Sequence, residues 1–266
     1  MKTIPKTIQL ALAGAIALGM VSTVAYADDD THEAVNCQGL PTYGQLKAAL
    51  KSARNVANGG FNLDMWGAIV NRDGIVCAVA FTGVNRGDEW PGSRVIAAQK
   101  ANTANAFSLP GLSLSTANLY AAVQPGGTLY GLQHSNPVDT KRAYTGPATK
   151  FGQADDPMVG KRVGGVNVFG GGLGLYAAGP VLIGAIGVSG DTSCADHNIA
   201  WRTRHNLNLD FVPGGVSGVA GHADNINYQG LVAVPSLAND FSHPICKIAG
   251  VDGVSAISAA LPATHP

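Results

Sequence analysis

One stretch constrains the fold of this chain more than any other: residues 181–200, VLIGAIGVSGDTSCADHNIA. Its first half is an apolar, β-branched run in which glycines recur every third residue, a pattern that indicates a buried strand approached closely by another backbone or a ligand. The polar cluster that follows ends the run. We therefore predict that residues 181–188 form a central strand around which the rest of the chain packs.

A helix is expected directly after this strand. Ser193 and Asp196 have the spacing of a capping box, and the helix is predicted to run to about Leu207. The free N–H groups at its start would suit an anionic group such as a carboxylate, which makes Ser189 and Gly190 candidate ligand-binding residues. The glycine spacing matches neither a nucleophile elbow nor a dinucleotide fingerprint.

The flanking sequence supplies further strands and helices. Residues 42–58 predict an amphipathic helix, and residues 66–70 and 75–81 predict a hairpin with an Asp-Gly turn. Short strands are expected at 166–169 and 173–178, with a short helix near 115–123. Five strands interleaved with helices predict a mixed α/β domain.

The helix expected from Ser93 combines two faces. A stripe of alanines allows close packing, while Arg94, Lys100 and Thr103 lie on or near an adjacent face. We interpret Lys100 as the strongest ligand-binding candidate on this helix, the alternative being a solvated lysine.

The segment from Gln124 to Gly165 has no sustained periodicity, is rich in glycine and proline, and is too long to serve only as a connection between elements. His134 and Tyr144 make it a candidate lid over a flat aromatic ligand, since histidine and tyrosine are axial ligands of haem iron. A loop that contacts another subunit is the alternative interpretation.

Three separated motifs can be compared with known families: GAIGVSG followed by Asp196 and Ala200, the turn NRDG, and the helix SRVIAAQKANTANAF. Together they resemble the GlcG/HbpS family of small haem-binding and haem-degrading-type domains. The resemblance spans about residues 42–208, with an insertion at about 110–165 and a C-terminal extension at about 208–266. It implies a single domain with a profilin-like, largely antiparallel five-stranded sheet flanked by helices. It also implies haem as the cofactor.

The resemblance places the Lys100 helix beside the ligand pocket, so basic side chains and the helix start are expected to hold the haem propionates. Histidines 134, 197 and 205 and Tyr144 are the candidate iron ligands. The full set of candidate cofactor-binding residues is Arg94, Lys100, Thr103, His134, Tyr144, Ser189, Gly190, Asp196 and His197.

The N-terminus predicts export. Residues 1–27 combine two lysines, an apolar core and an A-x-A sequence, which are the parts of a cleavable signal peptide, with a retained anchor as the alternative. No later stretch has the length of a membrane span. We therefore expect a periplasmic or secreted protein.

Four cysteines follow the predicted cleavage site, and an even number in an exported chain favours two disulfides. Three pairings are possible, of which we prefer Cys37 with Cys77 and Cys194 with Cys246, since each would attach a terminal extension to the core. No C-x-x-C spacing is present, so no metal site is predicted.

Charge and residue order limit the function. The formal net charge is zero, and the two lysines of the signal leave −2 on the mature chain, which argues against a nucleic-acid partner. Besides haem binding, two alternatives remain: an enzyme on a small carboxylated substrate, with His197 as base assisted by Asp196, Lys100 or Ser189, and a homo-oligomeric assembly module. Haem or another small anionic ligand and a second copy of the chain are the expected partners.

Overall fold

The computed structural model describes residues 36–228, 240–247 and 254–266, and the predicted signal peptide lies outside these ranges. Within them the strands form one antiparallel sheet with the order β2-β1-β4-β3. The bounds are β1 Trp66–Asn71, β2 Val76–Phe81, β3 Gly172–Ala177 and β4 Val181–Ser189. The prediction that the 181–188 run is a central strand is confirmed, since β4 pairs with β1 on one side and β3 on the other.

Helices flank the sheet, as predicted. In the described ranges, three helices exceed ten residues: α1 Tyr43–Arg54, α2 Ser93–Phe107 and α5 Ser193–Asn206. Shorter ones are α3 Leu132–Ser135, α4 Thr140–Ala143 and α6 Val254–Ala259, with single 3₁₀ turns at Ala121–Val123 and Ala148–Lys150.

The sheet separates two cores. On one face, α1 and α5 pack through Leu50 and Trp201 against Ile186 of β4. On the other face, α2 packs through Val95 and Ala98, together with side chains of the 110–165 insertion. This three-layer arrangement follows from strand alternation, because successive residues of a buried strand supply opposite cores.

Helix α2 lies unusually close to β4, and a glycine makes this approach possible. A Cβ atom at Gly187 would stand 1.9 Å from the carbonyl oxygen of Ala97 and 2.5 Å from the backbone nitrogen of Ala101. No side chain can occupy that space. The small-residue stripe predicted on α2 therefore serves to bring the helix backbone onto the strand.

The expected number of strands was wrong by one. Residues 166–169 do not join the sheet, because their backbone groups bond elsewhere: Val166 N–H donates to the Asn136 carbonyl oxygen, Asn167 N–H donates to Thr103 Oγ1, and the Phe169 carbonyl accepts from Thr116 Oγ1. Because these backbone donors and acceptors already have partners, they are not free to form hydrogen bonds with a neighbouring strand. The sheet consequently has four strands.

Two helix predictions also need correction. The N-cap of α5 is Thr192, whose Oγ1 accepts from Ala195 N–H, rather than Ser193. The Asp196 carboxylate instead accepts from the backbone N–H of Asp191. Residues 115–123 form turns and one 3₁₀ turn instead of a regular helix.

Both preferred disulfides are present in the structure. Cys37 is bonded to Cys77 on β2, and Cys194 at the start of α5 is bonded to Cys246, with Cα–Cα distances of 5.7 and 6.1 Å. Each bond attaches a terminal segment to a core element, as the sequence predicted. No helix among the described residues has the length and apolar character needed to cross a membrane.

Candidate functional site

A buried ion pair lies where β4 ends and α5 begins. The Lys100 ammonium group on α2 donates to a carboxylate oxygen of Asp196 on α5 at 2.7 Å and to the carbonyl oxygen of Val188 at 3.1 Å. Both charged side chains are almost completely inaccessible to solvent, at 1 % and 3 % exposed. The contact therefore joins the helix layers on opposite faces of the sheet past the end of the central strand.

Burial shifts the protonation equilibria of both partners. Desolvation lowers the pKa of Lys100 and raises the pKa of Asp196 to about 6, while their mutual attraction opposes each shift. The second Asp196 oxygen accepts from the Asp191 N–H at 2.9 Å. Because Asp196 supplies the counter-charge, a propionate could reach the Lys100 ammonium group only by displacing this carboxylate.

The helix start next to this pair is already filled by the protein's own groups. Ser189 is buried with its hydroxyl 3.2 Å from that of Ser93. Gly190 has φ of +157°, and a Cβ there would stand 2.4 Å from the carbonyl oxygen of Asp64. The Asp191 carboxylate accepts from Phe61 N–H and from the N-cap Thr192 N–H. The positive φ and the close approach of the Asp64 backbone therefore explain the glycine at this point.

Arg94 and Thr103 hold neighbouring segments against α2. Arg94 forms a buried two-pronged ion pair with Asp156, donates to the Ala143 carbonyl at 2.9 Å and lies over the Phe151 ring at 3.7 Å. Thr103 Oγ1 accepts from Asn167 N–H at 2.9 Å. Arg94 thus attaches the insertion to the core, and its charge is compensated by Asp156.

The two predicted lid residues lie on the surface of the insertion. His134 is exposed on α3, with its ring edge-on to that of Tyr130 at a centroid distance of 6.3 Å. Tyr144 follows α4 directly and is 58 % exposed. Tyr144 is the neighbour of Ala143, whose carbonyl Arg94 holds, so a buried arginine positions the backbone beside it.

His197 faces the C-terminal extension rather than the Lys100 pair. It is fully buried on α5, with Nε2 3.0 Å from the Asn225 side-chain oxygen, and Nδ1 has no hydrogen-bond partner among the described residues. Burial lowers its pKa to about 4, so it is neutral near pH 7. The sequence suggested His197 as a base assisted by Asp196, Lys100 or Ser189. In the structure, His197 belongs to a different hydrogen-bond network from these residues.

Sequence reasoning missed the acidic partners of these basic side chains. Asp156, Asp191 and Asp224 are buried, and Asp224 pairs with Arg204 of α5 as Asp156 does with Arg94. Glu89, in the loop before α2, is also buried, and desolvation raises its pKa to about 7. Nothing in the neighbouring sequence marks Asp156 or Asp224 as the partner of a distant arginine, because aspartates are common in turns.

A family model described as "Haem degrading protein HbpS-like" matches residues 42–204. No protein with a curated description gave a match. Among solved structures, a PduOC:heme complex is 24 % identical with a TM-score of 0.44, over 64 % of this chain and 94 % of that one. The Klebsiella pneumoniae protein ORFY, of the family DUF336, is 25 % identical with a TM-score of 0.41, over 62 % and 86 % of the two chains. These alignments are too loose to place a ligand on this chain.

Replacing Lys100 by methionine should lower the free energy of unfolding by about 3–5 kcal/mol, because Asp196 would remain as an uncompensated buried charge. Urea unfolding of both proteins measures this loss. The double variant Lys100→Met/Asp196→Leu, which removes both charges, should recover most of it. A single variant within about 1 kcal/mol of wild type would place the pair in the class of solvated surface contacts and contradict the assignment.

The buried neutral state of His197 predicts an acid-sensitive stability. Between its ordinary pKa of 6.5 and its folded pKa of about 4, the unfolded chain binds a proton that the folded chain does not. The free energy of unfolding therefore falls as the pH falls through this window, by about 3 kcal/mol at pH 4 for this residue alone. His197→Asn should show a correspondingly shallower decline in chemical unfolding from pH 7 to pH 4. Equal slopes of unfolding free energy against pH in wild type and His197→Asn would contradict this. The control variant His134→Asn, which changes an exposed histidine, should have the wild-type slope.

Proposed function

The chain belongs to the family of HbpS-like haem-degrading proteins, and from this premise we propose that it is an exported haem-binding protein that acts in haem or iron handling. The observation that carries the proposal is the extent of the family match. Residues 42–204 include all four strands of the sheet together with α1, α2 and most of α5. The match therefore covers the structural core rather than an isolated motif.

Haem has two chemical requirements, a group for the iron and partners for its propionates. The junction of β4 and α5 meets neither as it stands. Lys100 and Arg94 are compensated by Asp196 and Asp156, and all four side chains are buried. We assign these residues, with Ser189, Gly190 and Thr103, to the framework that positions the site rather than to direct contact with haem.

The exposed face of the insertion fits the iron better. His134 offers an accessible imidazole, and Tyr130 and Tyr144 are accessible aromatic side chains of the same segment, 60 % and 58 % exposed. Exposed aromatic rings favour stacking with a flat apolar ligand. We therefore propose that haem lies on this surface, with His134 as the iron ligand and Tyr144 as the alternative.

The disulfides support export. Cysteine pairs of this kind persist in oxidising compartments and are rare in the cytosol. Both bonds join cysteines beyond residue 27, where the predicted signal peptide would end. We propose that the mature chain begins at Asp28 and functions in the periplasm or outside the cell. Homo-oligomerisation remains a prediction.

Haem titration of the purified protein should produce a Soret band that depends on His134. His134→Ala should shift or remove the band and weaken haem affinity at least tenfold, which corresponds to about 1.4 kcal/mol. Tyr144→Phe should leave the band unchanged if histidine is the ligand and change it if the tyrosine is. Gln133→Ala, on the same short helix, is the matched control.

Two results would contradict this assignment. Wild-type protein with no Soret change at equimolar haem would exclude haem binding. A normal band in both His134→Ala and Tyr144→Phe would place the iron ligand elsewhere. Size-exclusion chromatography of the same samples tests the competing interpretation, that this aromatic surface contacts a second copy of the chain.

Export is tested by intact mass. Protein released by osmotic shock should have the mass of residues 28–266 less the four hydrogens lost in two disulfides, and alkylation without reduction should modify no cysteine. A mass that retains residues 1–27, or four alkylated thiols, would contradict the proposal.

A further inference from the structure

Two histidines and one aspartate meet at the C-terminal end of α5, away from the insertion. His205 Nδ1 is 2.8 Å from one carboxylate oxygen of Asp210, and His265 Nδ1 bonds to the other. The two imidazole rings are stacked at a centroid distance of 5.1 Å. The three possible ligand atoms lie within 4.8 Å of one another. We call these three residues the tail site.

The backbone fixes two members of the tail site. His205 is in the last turn of α5, and Asn208 then adopts a left-handed conformation with φ of +54° that reverses the chain. Asp210 follows on a short extended segment that pairs with Tyr176 of β3, whose N–H donates to the Leu209 carbonyl at 2.8 Å. The Asp210 carboxylate is consequently buried, at 1 % exposed, and has little freedom to move.

The third member is held by contacts other than its own imidazole. The Thr264 N–H donates to the Gly221 carbonyl at 2.8 Å, and Trp201 Nε1 donates to the Pro262 carbonyl at 2.9 Å. The His265 ring also stacks on Phe211 at 5.0 Å. Backbone and aromatic contacts thus bring His265 to Asp210 before any ligand binds, and such preorganisation lowers the cost of binding.

We propose that the tail site binds one Zn²⁺ ion through His205, Asp210 and His265. Two imidazoles and one carboxylate form a donor set typical of zinc with an open fourth position. Ligand atoms on one tetrahedral zinc stand roughly 3.3 Å apart, given bonds of about 2.0–2.1 Å, so ligand atoms that lie within 4.8 Å of one another must approach by at most about 1.5 Å. The site is independent of haem binding.

Zinc binding requires that the coordinating ring nitrogens carry no hydrogen. Each Nδ1 that coordinates the metal gives up its hydrogen, either to solvent or to Nε2 of the same ring, and the carboxylate is already a suitable anionic ligand. The two imidazole side chains are 34 % and 35 % exposed, so water can fill the remaining position. His205 also lines a hollow of 400 Å³ between α1, α5 and residues 260–262.

The test uses untagged protein with both disulfides intact, treated with EDTA and then titrated with ZnCl₂ by calorimetry. Wild type should bind one zinc per chain, and His265→Ala and Asp210→Asn should each lose about 100-fold or more in affinity. Zinc at 100-fold over its Kd should raise the Tm of wild type by roughly 5–10 °C and that of His265→Ala by far less. His134→Ala, which removes an exposed histidine from a different segment, should bind zinc like wild type.

The Tm of the zinc-free variant distinguishes a loss of zinc binding from a loss of folding. Without zinc, His265→Ala should unfold close to the wild-type Tm, because its tail is held by the Trp201 and Gly221 contacts, so its loss of zinc affinity cannot be assigned to unfolding. Wild type that binds no zinc at micromolar concentration, or His265→Ala that binds it as tightly, would overturn the proposal. His265→Ala should retain the haem spectrum of wild type, which keeps this test distinct from that of haem binding.

Discussion

The contact between Lys100 and Asp196 connects parts of the structure that the sheet would otherwise keep apart. Helix α2 packs on one face of the sheet and α5 on the other. The lysine passes the end of β4, donates to the carbonyl oxygen of Val188 near that end and reaches Asp196 in the first turn of α5. A buried ion pair contributes little net stability, because desolvation offsets the attraction. A buried charge left without its partner, however, strongly destabilises the folded protein. We infer that its main effect is to specify how the two layers are aligned.

Buried ion pairs also attach two other segments to the core, one within residues 110–165 and one after residue 208. Arg94 of α2 pairs with Asp156 in the insertion, and Arg204 of α5 pairs with Asp224 in the C-terminal extension. Arginine suits these roles because its planar group makes two parallel bonds to a carboxylate and still reaches a backbone carbonyl, Ala143 in one case and Gly174 in the other. The insertion and the extension are therefore joined to the core at defined points by charge, and the extension by a disulfide as well.

The sequence predicted the features that depend on local patterns and missed those that depend on distant partners. Apolar, β-rich runs and turn residues located β1, β2 and β4. The even cysteine count, with a preference for attaching the terminal extensions to the core, led to both disulfides. Nothing near Lys100 indicates that its partner is 96 residues away, so it was interpreted as a ligand-binding lysine. Residues 166–169 have the composition of a strand, but the Asn136 carbonyl and the Thr103 hydroxyl satisfy their backbone, and neither could be assigned from the sequence.

The distribution of charge also indicates where ligands can bind. A cation already bonded to a buried carboxylate can receive an anionic ligand only after that carboxylate is displaced, and this applies to Lys100, Arg94 and Arg204 alike. Accessible or partly accessible imidazoles, in contrast, occur at His134 on α3, at His205 in the last turn of α5 and at His265. The charges of these three ion pairs are thus compensated by the protein itself. The iron and zinc sites that we propose use imidazoles outside these pairs.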